Sequence, residues 1–191
     1  MIELETPRLI MRQWTPEDLP ALASLNADSE VMRFFPAVLS CEQSAQMLER
    51  LRGQFAMQGY GFWALQQKGS GQLIGFTGLN RVGFEASFSS ATNPAVEIGW
   101  RLAREYWHQG YASEAARTAL DCAFSQLQLP EVVAFTAEVN RPSIQLMQAL
   151  GMQHYSREDF EHPALPAGHW LSRHVLYRIT HEDWLAAPRK T

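Results

Sequence analysis

The stretch Glu97–Ile98–Gly99–Trp100–Arg101–Leu102, followed by Trp107–His108–Gln109–Gly110–Tyr111–Ala112–Ser113–Glu114, constrains this chain most. Its first part reads as a strand, its middle as a short glycine-containing loop, and its end as the start of a helix. Such a junction aims several backbone N–H groups into one small volume, and the helix dipole favours negative charge there. A phosphate-bearing guest is the expectation. The junction is not a P-loop, because no Gly-Lys-Ser/Thr follows, and it lacks the glycine spacing of a dinucleotide fingerprint. A single helix, Ala112–Gln126, leads from it towards the β-branched run Glu131–Val139, and one crossover helix between two strands calls for parallel pairing.

The remaining pattern surrounds this unit with further strands and helices. Leu9–Gln13 reads as a strand, and Thr15–Pro16–Glu17–Asp18 starts a helix with a cap, a proline at the first helical position and acids at its positive end. Ser40 and Gln43 form a capping box ahead of Ala45, Leu48, Leu51 and Phe55 at helical spacing. Phe62–Gln66 and Leu73–Leu79 flank the turn Lys68–Gly71 and read as an antiparallel hairpin. Residues 83–94 are polar and read as a mobile loop. Pro142 opens a short helix through Ala149, and Gly151 follows as its C-terminal stop. Met152–Glu158 and His174–Ile179 read as strands around the loop Asp159–Leu171, and His181–Leu185 adds a helical turn.

The whole chain, 1–191, is expected to be one mixed α/β domain. Its 46% hydrophobic and 19% charged residues exclude a disordered chain. A net charge of −4 without a Lys/Arg-rich run gives no support for nucleic-acid binding. Cys41 and Cys122 have neither metal-ligand nor redox spacing and read as buried, reduced thiols. No apolar run approaches a membrane span, and Met1–Glu5 lacks the features of a secretory leader, so a cytoplasmic location is expected.

The junction, with Tyr106 before it and Ala115 after it, resembles the acyl-CoA motif of the GNAT N-acetyltransferases, in particular the RimJ/RimL-like branch. Leu4–Arg12, Asn140–Arg141–Pro142–Ser143 leading to Ala149–Met152, and Val175–Ile179 followed by Glu182–Trp184 resemble the same branch. The resemblance therefore covers nearly the whole chain. It implies a mostly antiparallel sheet of about seven strands flanked by helices, with parallel fourth and fifth strands that splay apart around the pantetheine arm of acetyl-CoA. Backbone groups of Trp100, Arg101 and Leu102 would then face that arm, and amides of His108, Gln109, Gly110, Tyr111, Ala112 and Ser113 would hold the pyrophosphate. Trp107 departs from the Gln or Arg usual at its position, so backbone contacts are expected to dominate there.

The implied reaction is direct attack of a neutral amine on the acetyl thioester, with no metal. It requires proton removal from the acceptor, polarisation of the carbonyl and stabilisation of the leaving thiolate. Glu97 is the candidate base: it is the acid in an apolar strand centre, alternation places it with Gly99, and burial would raise its pKa. Pairing with a neighbouring arginine is its structural alternative. The tyrosine many members use as acid corresponds here to Met147, leaving Ser143 as candidate proton donor or as a helix-start hydrogen-bonding residue. Asn140 would bond pantetheine amides or serve as a turn residue. Phe34, Phe35, Phe62 and Trp63 are candidates for an acceptor pocket or for core. Asp159, Glu161, His162 and His169 could meet a cationic amine or stay solvated. The expected partner is an amine acceptor, either a protein N-terminus or a small molecule. A homodimer is admitted, and neither nucleic acid nor membrane is expected. The competing readings are a non-catalytic acyl-CoA-binding module and a loop that holds a nucleotide.

Overall fold

Alternation of apolar and polar residues, punctuated by capped amphipathic runs, produces the longer elements in the order the sequence suggests, and Leu4–Glu5 and, within the expected loop, Phe160–Glu161 add two short strands. In the computed structural model, which describes residues 2–186, the strands and helices are β1 (Leu4–Glu5), β2 (Leu9–Arg12), α1 (Leu19–Ala27), α2 (Cys41–Gln58), β3 (Phe62–Gln67), β4 (Leu73–Arg81), β5 (Val96–Leu102), α3 (Tyr111–Ser125), β6 (Glu131–Ala137), α4 (Arg141–Ala149), β7 (Gln153–His154), β8 (Phe160–Glu161), β9 (Arg173–Thr180) and α5 (His181–Ala186). Met1, part of the leader reading, lies outside the described residues. The chain forms two compact units, Met1–Asn80 with Gly99–Ala119, and Arg81–Ile98 with Leu120–Thr191.

In the first unit the strand order is β1-β2-β3-β4-β5. The first three pairings are antiparallel, with Leu4 opposite Met11, Leu9 opposite Gln67 and Phe62 opposite Gly78. Leu9, Met11, Trp63 and Leu65 alternate into the core, where Leu22, Leu48, Leu51 and Phe55 of α1 and α2 meet them. The Phe55 and Trp63 rings pack edge-on at 5.8 Å. The helix starts are built as their sequences require. Ser40 Oγ accepts from Gln43 N, and Gln43 Oε1 accepts from Ser40 N. Gly75 lets β4 and β5 approach closely: its φ is +146°, and a Cβ there would stand 2.2 Å from the Arg101 carbonyl oxygen.

In the second unit the order is β5-β6-β9-β7, with β8 also on β9. β5 and β6 run parallel and pair at Glu97 and Val133. The β6–β9 ladder is antiparallel from Glu131 opposite Thr180 to Ala137 opposite His174. Val82, Val133 and Leu176 form an apolar centre against which Phe84, Phe88, Ala95 and Phe135 pack. Among the described residues the sheet is thus mixed and mostly antiparallel, and its nine strands include three of two residues each.

Three local expectations are corrected. The strand foreseen at Met152–Glu158 is only Gln153–His154, because the chain turns at Ser156–Glu158 to bring Glu158 onto Arg178 at 2.6 Å. The segment 83–94 is not a loose loop. Phe84 and Phe88 anchor it at 5.7 and 6.0 Å from Phe135, and Ala86 bridges Ser89. Cys122 is buried as expected, but Cys41 is exposed at the first position of α2.

Candidate active site

In the first unit the loop ahead of α3 turns sharply at two left-handed residues, His108 (φ 57°) and Gly110 (φ 83°). The first internal bond of α3 runs from Glu114 N to Gly110 O at 3.0 Å. Among the described residues no acceptor is found for the amides of His108 to Ser113. A row of unsatisfied donors is thereby presented at the positive end of a 15-residue helix. Tyr111 is buried, Ala112 and Ser113 are half-buried, and His108, Gln109 and Gly110 are exposed.

Side chains clamp this loop without using its amides. The Arg8 guanidinium donates to Glu114 Oε2 at 2.6 Å and to the Gln109 carbonyl at 2.9 Å, and lies 4.2 Å from the Tyr111 ring centre. Glu114 also accepts from Thr6 Oγ1 at 2.5 Å and from Arg8 N at 3.0 Å. Burial pushes the Glu114 carboxyl up, but these donated bonds outweigh it and leave the group below its ordinary value. Gln67 Nε2 donates to the Tyr111 hydroxyl, Gln109 Nε2 to the Glu105 carbonyl, and Trp107 Nε1 to the Leu102 carbonyl. Sequence reasoning missed Thr6, Arg8 and Glu114 as site-building residues. Their partners lie more than 100 positions apart, and the available signal was an acid in the first helical turn after the loop.

Trp100, Arg101 and Leu102 complete β5 in the same unit. Arg101 Nη1 donates to Asn26 Oδ1 at 2.6 Å, and its guanidinium lies 4.0 Å from the Phe35 ring centre. Trp63 is wholly buried and donates to the Ile2 carbonyl, so it is core rather than pocket lining. Phe62 is half-buried against Phe76 at 5.7 Å.

The second unit holds the other predicted residues. Glu97 is half-buried opposite Val133 at the parallel pairing of β5 and β6. Asn140 is buried and caps α4. Its Oδ1 accepts from Ser143 N at 3.4 Å, and its Nδ2 donates to Thr136 Oγ1 at 2.8 Å and Ser143 Oγ at 3.1 Å. Met147 is buried on the same helix. Asp159 is held by His154, Arg173 and the Leu176 amide, and is not a solvated loop acid. His162 lies 4.9 Å from His174 within the aromatic group Phe84, Phe135 and Phe160. Burial lowers the pKa of both histidines. No group of three or more His, Cys, Asp or Glu side chains converges among the described residues.

Residues 8–153 match the family model for the acetyltransferase (GNAT) domain, a span that takes in residues of both units. The uncharacterized N-acetyltransferase YnaD of Bacillus subtilis is 28% identical over 184 residues, covering 96% of this chain and 99% of that protein. The FsC-acetyl coenzyme A-N(2)-transacetylase of Aspergillus fumigatus is 29% identical over 189 residues, covering 95% of this chain and 77% of the relative. The crystal structure of a GNAT-family acetyltransferase from Bacillus anthracis shares the fold with a TM-score of 0.76 at 24% identity, covering 95% of this chain and 99% of that one.

Proposed function

Because this chain belongs to the GNAT acetyltransferase family, we propose that it moves an acetyl group from acetyl-CoA to a primary amine by direct attack in a ternary complex, as a member of the RimJ/RimL-like branch. The acceptor is a protein N-terminal amine or a small amine. The row of uncommitted amides from His108 to Ser113 carries this proposal. The row offers donors to a pyrophosphate at a helix N-terminus, and the small Ala112 and Ser113 leave it accessible. Backbone groups of Trp100, Arg101 and Leu102 serve the pantetheine arm, and Asn140 hydrogen-bonds with its amides.

Glu97 takes the proton that the acceptor ammonium must lose, directly or through water. The amine nitrogen then bonds to the thioester carbonyl carbon, and the carbon–sulfur bond breaks. The nitrogen sheds its second proton as the amide forms, and Ser143 or water relays that proton to the thiolate, since the thioether of Met147 has none to give.

Thiol release from acetyl-CoA, measured against a panel of small amines and N-terminal peptides, tests this directly. Glu97→Gln is expected to lower kcat/KM by about 100-fold or more, the usual worth of a general base. Unchanged turnover in that variant would remove Glu97 from the mechanism. Tight CoA binding with no amine acetylated would instead favour a non-catalytic acyl-CoA-binding module. Tighter calorimetric binding of ATP or NAD than of CoA would overturn the pyrophosphate assignment.

A further inference from the structure

Among the described residues no carboxylate balances the charge of Arg101. It shares one face of β5 with Gly99, and its Nη1 donates to Asn26 Oδ1 at 2.6 Å. Asn26 is fully buried and fixed: its Nδ2 donates to Ser44 Oγ at 3.1 Å, and its carbonyl accepts from Leu39 N at 2.9 Å. Two rings bracket the guanidinium, with Phe35 at 4.0 Å and Phe76 at 5.2 Å. Among the described residues, Nε is sealed from solvent without a hydrogen-bond partner, and no carboxylate pairs with the group. Burial accordingly pushes its pKa down to about 10.

Arg178 shows how this chain treats a structural arginine. Its Nε is also buried and unbonded, yet Glu131 and Glu158 each approach its terminal nitrogens to 2.6 Å. Arg101 is half-buried, its Nε is sealed from solvent, and a desolvated cation without such partners is penalised in a way that a ligand's counter-charge would relieve. The planar guanidinium fork is matched by a carboxylate. Phe35, 38% exposed on the connection between α1 and α2, leaves the charge one ring below the surface.

We propose that Arg101 recognises a carboxylate carried by the acceptor, so that the acceptor class is a primary amine bearing a carboxylate. This rests on the acetyl-transfer function proposed above. The carboxylate belongs to a free amino acid or to an acidic residue near a peptide N-terminus.

Matched acceptors test it: amino acids against their carboxamides, and peptides with Asp or Glu against Asn or Gln at the second position. The acid of one pair is expected to have at least a tenfold higher kcat/KM, and the pair that shows the preference identifies the source. Arg101→Gln is expected to bring that ratio close to one. So is Asn26→Asp, which gives the guanidinium an internal counter-charge at unchanged size and guards against a variant that merely misfolds. A ratio near one for every pair in the wild type, or a preference that survives Asn26→Asp, overturns the proposal. If no amine releases thiol, acetyl transfer fails separately, and calorimetry with the same acids and amides decides the carboxylate site. Binding of an acid but not its amide, lost in Asn26→Asp, supports it; no binding of any acid overturns it.

Discussion

Two helices of this chain begin in opposite ways. At α4 every donor of the first turn is spent within the chain. Arg141 N reaches the Val139 carbonyl, Pro142 has no N–H, Ser143 N reaches the Asn140 side chain, and Ile144 N reaches the Asn140 carbonyl. At α3 the residue before the helix is Gly110, which has no side chain to cap with, and the amides up to Ser113 stay open until Glu114 closes the first bond. The clamp of Thr6, Arg8 and Glu114 holds this start through side chains and the Gln109 carbonyl, leaving the amides alone. The sealed start has used its backbone donors on the chain itself, whereas the braced, open start keeps donors that an anion or water can accept.

The largest expected effect comes from disturbing the open start. Gly110→Val places a β-branched residue at φ 83° with its Cβ 3.3 Å from Arg8 Nη2. Stability is expected to fall by about 1–3 kcal/mol, the usual cost of such backbone strain. CoA affinity measured by calorimetry is expected to fall about tenfold or more, because the amides lose their common direction. Gly110→Asn, whose side chain tolerates the left-handed region, should be much milder. If the valine variant binds CoA like the wild type, the loop amides do not form the anion site.

The contrast between the two helix starts was half legible in the sequence. The strand–loop–helix order, Gly110 and the small residues after it were readable because each reports local backbone requirements. So were the Ser40–Gln43 capping box and the position of Met147, which depend on neighbours within one helix. The clamp on Glu114 was not readable, because Thr6 and Arg8 reach it only after β1 and β2 have paired. The Thr136 and Ser143 hydroxyls that meet the Asn140 amide nitrogen were unreadable for the same reason. Residues 83–94 looked mobile from their Ser and Asn content. The aromatic partners that anchor Phe84 and Phe88 come from β6 and β8, at distant sequence positions. Local chemistry shows in composition and spacing, whereas the partner of a polar or aromatic side chain is set by tertiary pairing.

Weakening the brace should have a smaller effect than straining the loop. Glu114→Gln removes the charge that holds Arg8 and should destabilise by about 1–2 kcal/mol at neutral pH, the worth of charge-assisted hydrogen bonds. Because the folded-state pKa of Glu114 lies below its ordinary value of 4.5, the stabilisation is full above that value. It is lost as the pH falls through the folded pKa. Urea unfolding at pH 7 and at pH values below 4.5 checks both parts: the gap between wild type and variant should be wide at pH 7 and narrow on acidification. A gap that does not change with pH would mean that shape, not charge, braces the loop.

The smallest effect is expected at the self-satisfied start. Asn140→Ala removes the side-chain acceptor for Ser143 N and should cost about 1 kcal/mol, as loss of an N-cap usually does. Asn140→Asp restores the acceptor but cannot donate to Thr136 Oγ1 or to a pantetheine amide. The pair of variants therefore separates two roles that one residue could combine. Recovery of stability in the aspartate variant, with CoA affinity still reduced, would show that Asn140 both caps α4 and contacts the donor. Recovery of both would make it a cap alone. If the alanine variant is as stable as the wild type, α4 does not depend on its cap, and the distinction between a sealed and an open helix start loses its energetic basis.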